Sequence, residues 1–470
     1  VKLSADSRPE PAKGETLVKF FTRAERESIP SPVSEAEWNA SPNSLLMLHH
    51  DGLLCVGLGD PAKLTEQTIR AAAGAAVRTL RKAGRRAAAL DLRNHARWIA
   101  AAAEGAVMGE YAFADFKKAK SEAMASVRLI VKETDLAKAR KQARRGEIAG
   151  ASTNLARQVG NQPGNLLYPE TLATECRRVA HRDNLKITVL DEKQLAKGGF
   201  GGLIAVGKGS KRPPRLIILR HDGGIPGEPP IALVGKAITF DTGGISIKSA
   251  DHMEDMIFDK CGGMAVLGAM AGIARMDIRR NVVGIIASAE NMPSSTAYRP
   301  GDIVKTYDGT FVEIINTDAE GRMVLADAIA YARKDCRATA VIDLATLTGA
   351  CVVALGDYAA GLWSTSEKLQ SALLAAAAKT GERLWPMPLY DEYTDQIRSE
   401  VAAIKNTGGR PGGACTAAAF LKTFAGDTPW AHLDIAAVAY STKPRPEMSR
   451  GATGFGARLL IELVDGWGIG

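Results

Sequence analysis

Asp318 and Glu320 stand two positions apart in Asn316-Thr317-Asp318-Ala319-Glu320-Gly321-Arg322, directly ahead of the helix-like run Met323-Val324-Leu325-Ala326-Asp327-Ala328. Two anions this close repel each other unless a cation sits between them. A strand-like segment, Thr310 to Ile315, leads into the pair. At such a junction the two carboxylates can converge where the helix N-terminus adds a positive dipole. Two readings compete here: a bound metal, or an N-cap aspartate with a capping glutamate.

A second cluster bears on the choice. Ile231–Lys236 has the pattern of a buried strand ending in Gly-Lys, and Thr239-Phe240-Asp241-Thr242-Gly243-Gly244 and Ile245-Ser246-Ile247-Lys248 follow it. Asp259 comes next, just ahead of an apolar helix running to about Arg275. Loops at the C-terminal ends of parallel strands are where α/β sheets place ligands. Taken singly, Asp259 reads as an N-cap, Lys248 as a surface lysine and Lys236 as a phosphate binder that lacks the GxxxxGK[ST] pattern. Together, Asp241, Asp259, Asp318 and Glu320 with Lys236 and Lys248 suit a site for two divalent cations such as Zn, Mn or Mg. Two metals ~3.5–4 Å apart can activate one bridging water and polarise the group it attacks. Neither H-E-x-x-H nor a G-x-S-x-G elbow is present, and lysine or arginine among the acids would stabilise an oxyanion. The spacing leads to a dinuclear metal hydrolase and leaves peptidase and phosphatase both open.

The elements that must position these residues follow from periodicity. Strands are expected at Glu15–Phe21, Ala87–Leu92 and about 126–131, with a hairpin at Leu45–Leu48 and Leu53–Val56 turning through His49-His50-Asp51-Gly52. Helices are expected over Leu64–Ala83, about 95–111 and from Thr134 towards Gln158. Beyond the breaker-rich loop Gly160–Asn165, a helix is expected at 169–181 and strands at Lys186–Leu190, Leu203–Val206 and Arg215–Leu219. Strands alternating with helices predict an α/β protein of two domains, each a largely parallel or mixed sheet flanked by helices. Residues 1–155 form an architectural or regulatory domain in this reading, and 156–470 the larger, catalytic one. His49 and His50 are taken as exposed turn residues.

Length and composition agree with two to three domains: 470 residues, 46% hydrophobic and 24% charged. Six scattered cysteines without CxxC spacing point to a reducing, cytoplasmic setting. No signal-peptide core is visible in Val1–Asp6, and no run of 18 apolar residues predicts a membrane span. The net charge of +8 permits contact with polyanions. Its basic groups are dispersed along helix-like stretches, so nucleic acid is not an expected partner, though the charge leaves it open.

N-T-D-A-E-G-R at 316–322 resembles the signature of the leucyl (cytosol) aminopeptidase family of metallopeptidases. So do V-G-K at 234–236, T-F-D-T-G-G-I-S-I-K at 239–248, D-L-A-T-L-T-G-A at 343–350 and G-G-R-P-G-G at 408–413. T-A-A-A-F-L at 416–421, W-A-H-L-D-I-A at 430–436 and G-A-T-G-F-G at 451–456 extend the match over most of 155–465. The resemblance implies an aminopeptidase with two divalent metals per subunit (Mn or Zn, with Mg as a further option), acting on peptide substrates as a homohexamer. It implies Lys236, Asp241, Asp259, Asp318 and Glu320 as metal ligands, with Asp241 and Glu320 bridging and Lys236 binding as a neutral amine. Lys248 would polarise the scissile carbonyl and Arg322 would hold a bicarbonate or water chain as proton shuttle. Met256, Asn316, Thr346, Leu347 and Gly349 match the pocket for the first side chain, whose apolar lining implies a broad, leucine-like preference. Ser249-Ala250-Asp251-His252 departs from the family pattern and is read as loop surface; His432 is read as structural. Another dinuclear hydrolase, such as a phosphoesterase, and a DNA-binding regulator that keeps the aminopeptidase fold are the alternatives.

Overall fold

Leucine- and valine-rich runs alternating with alanine-rich helical stretches build two large sheets, beside two small ones, in the computed structural model, which describes residues 1–118 and 122–468. The chain divides into two compact units. The first comprises Val1–Asn154 with two short returns, Lys379–Gly381 and Thr442–Arg450. Arg78 holds the second return by donating to the carbonyls of Arg445 and Met448 at 2.6 and 2.8 Å.

The sheet of this unit contains β1 (Lys2–Asp6), β2 (Glu15–Thr22), β3 (Leu45–Leu48), β4 (Leu53–Gly59), β5 (Ala87–Asp91) and β6 (Ser126–Ile130). Their order across the sheet is β1-β6-β5-β2-β4-β3. All neighbours are parallel except the β3–β4 hairpin. Helices α1 (Glu66–Lys82) and α2 (Ile99–Glu110) supply alanines to the core around Val18, Leu90 and Leu129. The helix α3 (Leu136–Gly160) runs on past the end of the first unit's main segment.

The second unit begins with α4 (Pro169–Arg182), β7 (Lys186–Leu190), α5 (Glu192–Gly198), α6 (Gly201–Gly207), β8 (Arg215–Asp222) and β9 (Ile231–Asp241). It continues through α7 (Cys261–Arg275), β10 (Asn281–Asn291), β11 (Ile303–Lys305), β12 (Phe311–Glu313), α8 (Glu320–Lys334) and β13 (Ala340–Ala345). Then come α9 (Gly349–Leu355), β14 (Ala360–Ser364), α10 (Glu367–Thr380), β15 (Leu384–Pro386), α11 (Asp391–Asp395), β16 (Ile404–Lys405), α12 (Gly413–Ala425) and β17 (Trp430–Asp434).

Eight strands form its main sheet in the order β15-β14-β17-β13-β9-β10-β8-β7. The four central strands, β17, β13, β9 and β10, are parallel, so their C-terminal ends share one edge. Period-2 alternation sends Ile231 and Leu233 of β9 to one core and Ala232 and Val234 to the other. A sheet buried on both faces carries the near-continuous apolar runs seen here. The segment Met253–Arg275 is long and apolar enough to cross a membrane, but 89% of its apolar window is buried inside the protein, as in a core helix. Gly262 lets α7 press onto the sheet, since a Cβ there would lie 2.2 Å from the Leu344 carbonyl oxygen.

Two local expectations fail. Leu203–Val206 is not a strand but the middle of α6. A four-residue apolar run cannot by itself distinguish the two, and tertiary contacts decide: the Asp327 carboxylate accepts from Leu203 N at 2.8 Å. Of the strand-like Thr310–Ile315, Phe311–Glu313 alone is extended and paired, because Asn406 Oδ1 accepts from the Ile315 and Asn316 amides beyond it.

Candidate metal centre

The C-terminal edge of the central strands gathers the charged residues picked out above. Lys236 lies within β9, which continues to Asp241 instead of ending at the lysine, and Lys248 follows in the next loop. Asp259 sits in the turn before α7, and Glu320 is the first residue of α8. These residues and Asp318 line one cavity of about 320 Å³ together with Met256, Thr346, Leu347 and Gly349. Asn316 and Arg322 are not among its lining residues. Asn316 is exposed and accepts from Asp318 N at 2.8 Å, whereas Arg322 is buried and donates to the Asn406 carbonyl at 2.7 Å.

The capping explanation does not survive the geometry. The N-cap of α8 is Ala319 and that of α7 is Lys260, and neither makes a side-chain cap. The acids face one another instead. Ligand oxygens of Asp241, Asp259 and Glu320 all lie within 4.8 Å of one another. Lys236 Nζ is 2.7 Å from both Asp259 and Glu320. Lys248 Nζ lies 2.8 Å from Asp241 and also pairs with Asp318.

Four carboxylates and two ammonium groups leave a formal excess of negative charge in a buried place. Burial, followed by the partly opposing fields of Lys236 and Glu320, drives the Asp259 carboxyl up to about 8. Asp318 rises to about 7, again through burial first and then the charges of Glu320 and Asp241. Burial works to lower the two lysines, but the surrounding acids outweigh it and raise both. Asp259 Oδ2 and Glu320 Oε2 are buried without a hydrogen-bond partner among the described residues. Oxygens in that condition cost free energy unless something cationic meets them. The donor set therefore fits divalent cations.

Gly321 is shaped by the same crowding. A Cβ there would stand 2.8 Å from Cδ, Cε and Nζ of Lys236, whose head is held between two acids.

Several supporting residues carry no motif-like signal. Asn291 donates to Asp241 Oδ1 at 2.7 Å and to the Thr317 carbonyl at 3.1 Å. Asn406 grips the Asn316 segment from the far side, donating to its carbonyl at 2.7 Å. Asp434 accepts from Leu347 N at 3.1 Å and from the Thr348 hydroxyl at 2.7 Å, fixing the loop that forms one wall. Of the three, Asp434 lies within the family-like segment W-A-H-L-D-I-A at 430–436. The amides serve as hydrogen-bonding struts, which no spacing rule exposes.

The histidines stay out of the site. His49 and His50 are exposed in the hairpin turn, and Asp251 and His252 are exposed in their loop. His432 is fully buried in β17, bonded through Nδ1 to Asp343 at 2.5 Å and stacked near Trp430 and Trp363.

A two-faced α/β sheet with an acidic, lysine-threaded cluster at its parallel strand ends defines a metal-dependent hydrolase. The family comparisons make the assignment more specific. Residues 154–461 match the catalytic domain of the cytosol aminopeptidase family and residues 28–120 its N-terminal domain. A probable cytosol aminopeptidase of Cenarchaeum symbiosum is 44% identical over 88% of this chain and 86% of its own length. One from Roseiflexus castenholzii is 40% identical over 94% and 95%. Among solved structures, the bottromycin maturation enzyme BotP in complex with Mn superposes with a TM-score of 0.87 at 36% identity. That likeness covers 96% of this chain and 99% of BotP. The chain belongs to the cytosol aminopeptidase family, and it is a metal-dependent peptidase.

Proposed function

We propose that this chain releases N-terminal amino acids from peptides, using two divalent metals held by Lys236, Asp241, Asp259, Asp318 and Glu320. The observation that carries the reading is the pair of unpartnered buried oxygens, Asp259 Oδ2 and Glu320 Oε2, in a cluster of four acids. Asp241 and Glu320 would be shared by the two cations, with Asp259 and Lys236 holding one and Asp318 the other. The cations, when bound, supply Lewis acidity and a water acidic enough to act as nucleophile near neutral pH. Mn is the first candidate, given the Mn complex of BotP, with Zn and Mg as alternatives.

The remaining chemistry belongs to the chain's own side chains. Lys248, with about a quarter of its side chain open to solvent, points an ammonium into the cavity where it can meet the scissile carbonyl oxygen as negative charge develops. Lys236 must shed its proton to act as a ligand, which the cations' charge favours and the metal-free cluster opposes. Arg322, held by Asn406, keeps a buried Nε without a partner among the described residues. That arginine is the proposed seat of a bicarbonate ion that carries the proton. Met256, Phe258, Leu347, Val352 and Ala436 give the cavity an apolar wall. A wall of this kind favours leucine-like side chains by ~1–3 kcal/mol per methylene-scale change, so preference should be broad. Asn316 shapes the same pocket through the backbone of Asp318. A homohexamer in the cytoplasm completes the reading; six buried free thiols suit a reducing setting.

Hydrolysis of leucine p-nitroanilide, measured before and after chelation and again after Mn or Zn is restored, tests the proposal. Loss on chelation with recovery on metal addition is expected. Full activity in metal-free protein would overturn it.

A further inference from the structure

The first unit has a cavity of its own, and the sheet topology says why it is there. From β2 the chain leads to the β3–β4 hairpin on one side of the sheet, and from β5 it leads to β6 on the other. β2 and β5 are parallel neighbours, in register from Glu15 opposite Ala87 to Lys19 opposite Asp91. Connections that diverge from adjacent parallel strands leave a crevice at their C-terminal ends, the switch point where open α/β sheets bind ligands. A cavity of about 360 Å³ opens there, lined by Lys19, Phe20 and Phe21 from β2 and by Asp91, Arg93, Asn94 and His95 at the end of β5. Glu25, Ser28 and Lys132 close its rim. That volume is in the range of small-molecule sites, roughly 300–1,000 Å³.

The charges in it are unbalanced. Arg93 is engaged with Asp91 through two bonds of 2.9 and 2.7 Å, so that pair is neutral as a unit. Glu25 accepts from the Thr22 amide and hydroxyl at 2.9 and 2.8 Å. Lys19, half-buried, and Lys132, exposed, make no salt bridge among the described residues, although the charge of Lys19 adds to that of Arg93 in lowering Asp91. His95 is 7% exposed, yet its imidazole makes no hydrogen bond among the described residues. It is held edge-on to Phe20 and stacked on Trp98, with centroids 6.3 and 6.1 Å away. Burial lowers its basicity, so near neutral pH the ring offers one N–H donor and one lone pair. Its ring nitrogens open onto the cavity, where water or a ligand can meet them.

We propose that this crevice is a second ligand site, which takes a small phosphate monoester: phosphate between Lys19, Lys132 and His95, organic part beside Phe20, the ring that His95 meets edge-on. A monoester carries about −1.5 to −2 charge near neutral pH; Lys19 and Lys132 supply the cations to meet it, with Glu25 the opposing charge on the rim. The cavity is larger than a bare phosphate needs, which leaves room for the organic part.

Calorimetric titration of the full-length, metal-loaded protein with phenyl phosphate tests the site, with succinate as the carboxylate control. One saturable event per chain is expected for phenyl phosphate, at least tenfold tighter than for succinate. Lys19→Met with Lys132→Met should weaken it tenfold or more while leaving leucine p-nitroanilide hydrolysis unchanged. His95→Gln, which keeps the ring's approximate length, gives a second, separate weakening. The Glu320→Gln variant should bind as the natural chain does, which separates this site from the metal centre. Absence of saturable binding, loss in Glu320→Gln alone, or indifference to both the lysine pair and His95 would each overturn the proposal. Equal affinity for succinate would overturn the phosphate assignment.

Discussion

At the C-terminal ends of β9 and β13 five acids and two lysines line the cavity, and four of the acids, all but Asp255, pair with the lysines. At those of β2 and β5 the lining groups are two lysines, an arginine, a histidine and two acids. Both places are the same kind of feature, the open end of parallel strands, yet their fields have opposite sign. The first leaves oxygens without partners; the second leaves ammonium groups without a salt bridge among the described residues. Sheet topology thus chooses where a ligand can sit, while side-chain charge chooses which ligand.

The comparison is broken most directly at the acidic end. Glu320→Gln removes one charge from the cluster and a ligand that the proposed cations would share. We expect kcat/KM for leucine p-nitroanilide to fall by about 10³-fold or more, roughly 4 kcal/mol in transition-state terms. Bound metal, measured by elemental analysis, should fall with it. Lys248→Met should be milder and different in kind. It deletes a donor aimed at developing charge, so kcat should drop by about 10²-fold with metal content kept. A loss of metal in Lys248→Met would show that the lysine organises the acids instead of the substrate.

Gly321→Ala lies between these effects and an ordinary surface change. The new methyl meets the clamped Lys236 head at 2.8 Å, so lysine or helix start must give. About a tenfold loss of activity is expected, with weaker metal retention; wild-type behaviour would mean that Lys236 moves freely between its two acids.

How much of this was legible in the sequence differs between the two ends. Asp318 and Glu320 announce themselves because they stand two positions apart along the chain, and Asp241, Lys248 and Asp259 because glycine-rich loops surround them. Arg322 also sits in that signature, although it is buried and does not line the cavity. The struts Asn291 and Asn406 were invisible, since each acts across the fold on one backbone segment. The α6 helix was missed because its apolar run is too short to show a period. In the first unit nothing stood out: Lys19, Asp91, His95 and Lys132 come from three strand ends far apart in sequence. Their meeting depends on strand order, which local patterns do not reveal.

The smallest expected effect belongs to the first unit's own scaffold, and it sharpens the contrast in sign. Arg128, buried in β6, bonds Glu15 at 2.7 Å and Asp6 at 2.8 Å. Burial works to raise both carboxyls, but bonds from Arg128, and for Asp6 also from Arg8, outweigh it and hold them below their ordinary values of 4.5 and 3.8. A carboxyl depressed in the folded state binds fewer protons there than in the unfolded chain. Its stabilisation is therefore full above about pH 5 and fades as pH falls through 4 and below. Arg128→Met leaves the part-buried Glu15 with the Ala12 amide but no cation, which should cost roughly 1.5–3 kcal/mol near pH 7. The variant's melting temperature should also change less between pH 6 and pH 3 than that of the natural chain, because the acids it leaves behind no longer lose an arginine partner on protonation. Thermal melting followed across that range decides the point: parallel acid limbs would show that the Arg128 cluster contributes nothing to pH-dependent stability. Because the cluster lies away from the residues that line the crevice, phenyl phosphate affinity at pH 7 should be unaltered in the folded variant.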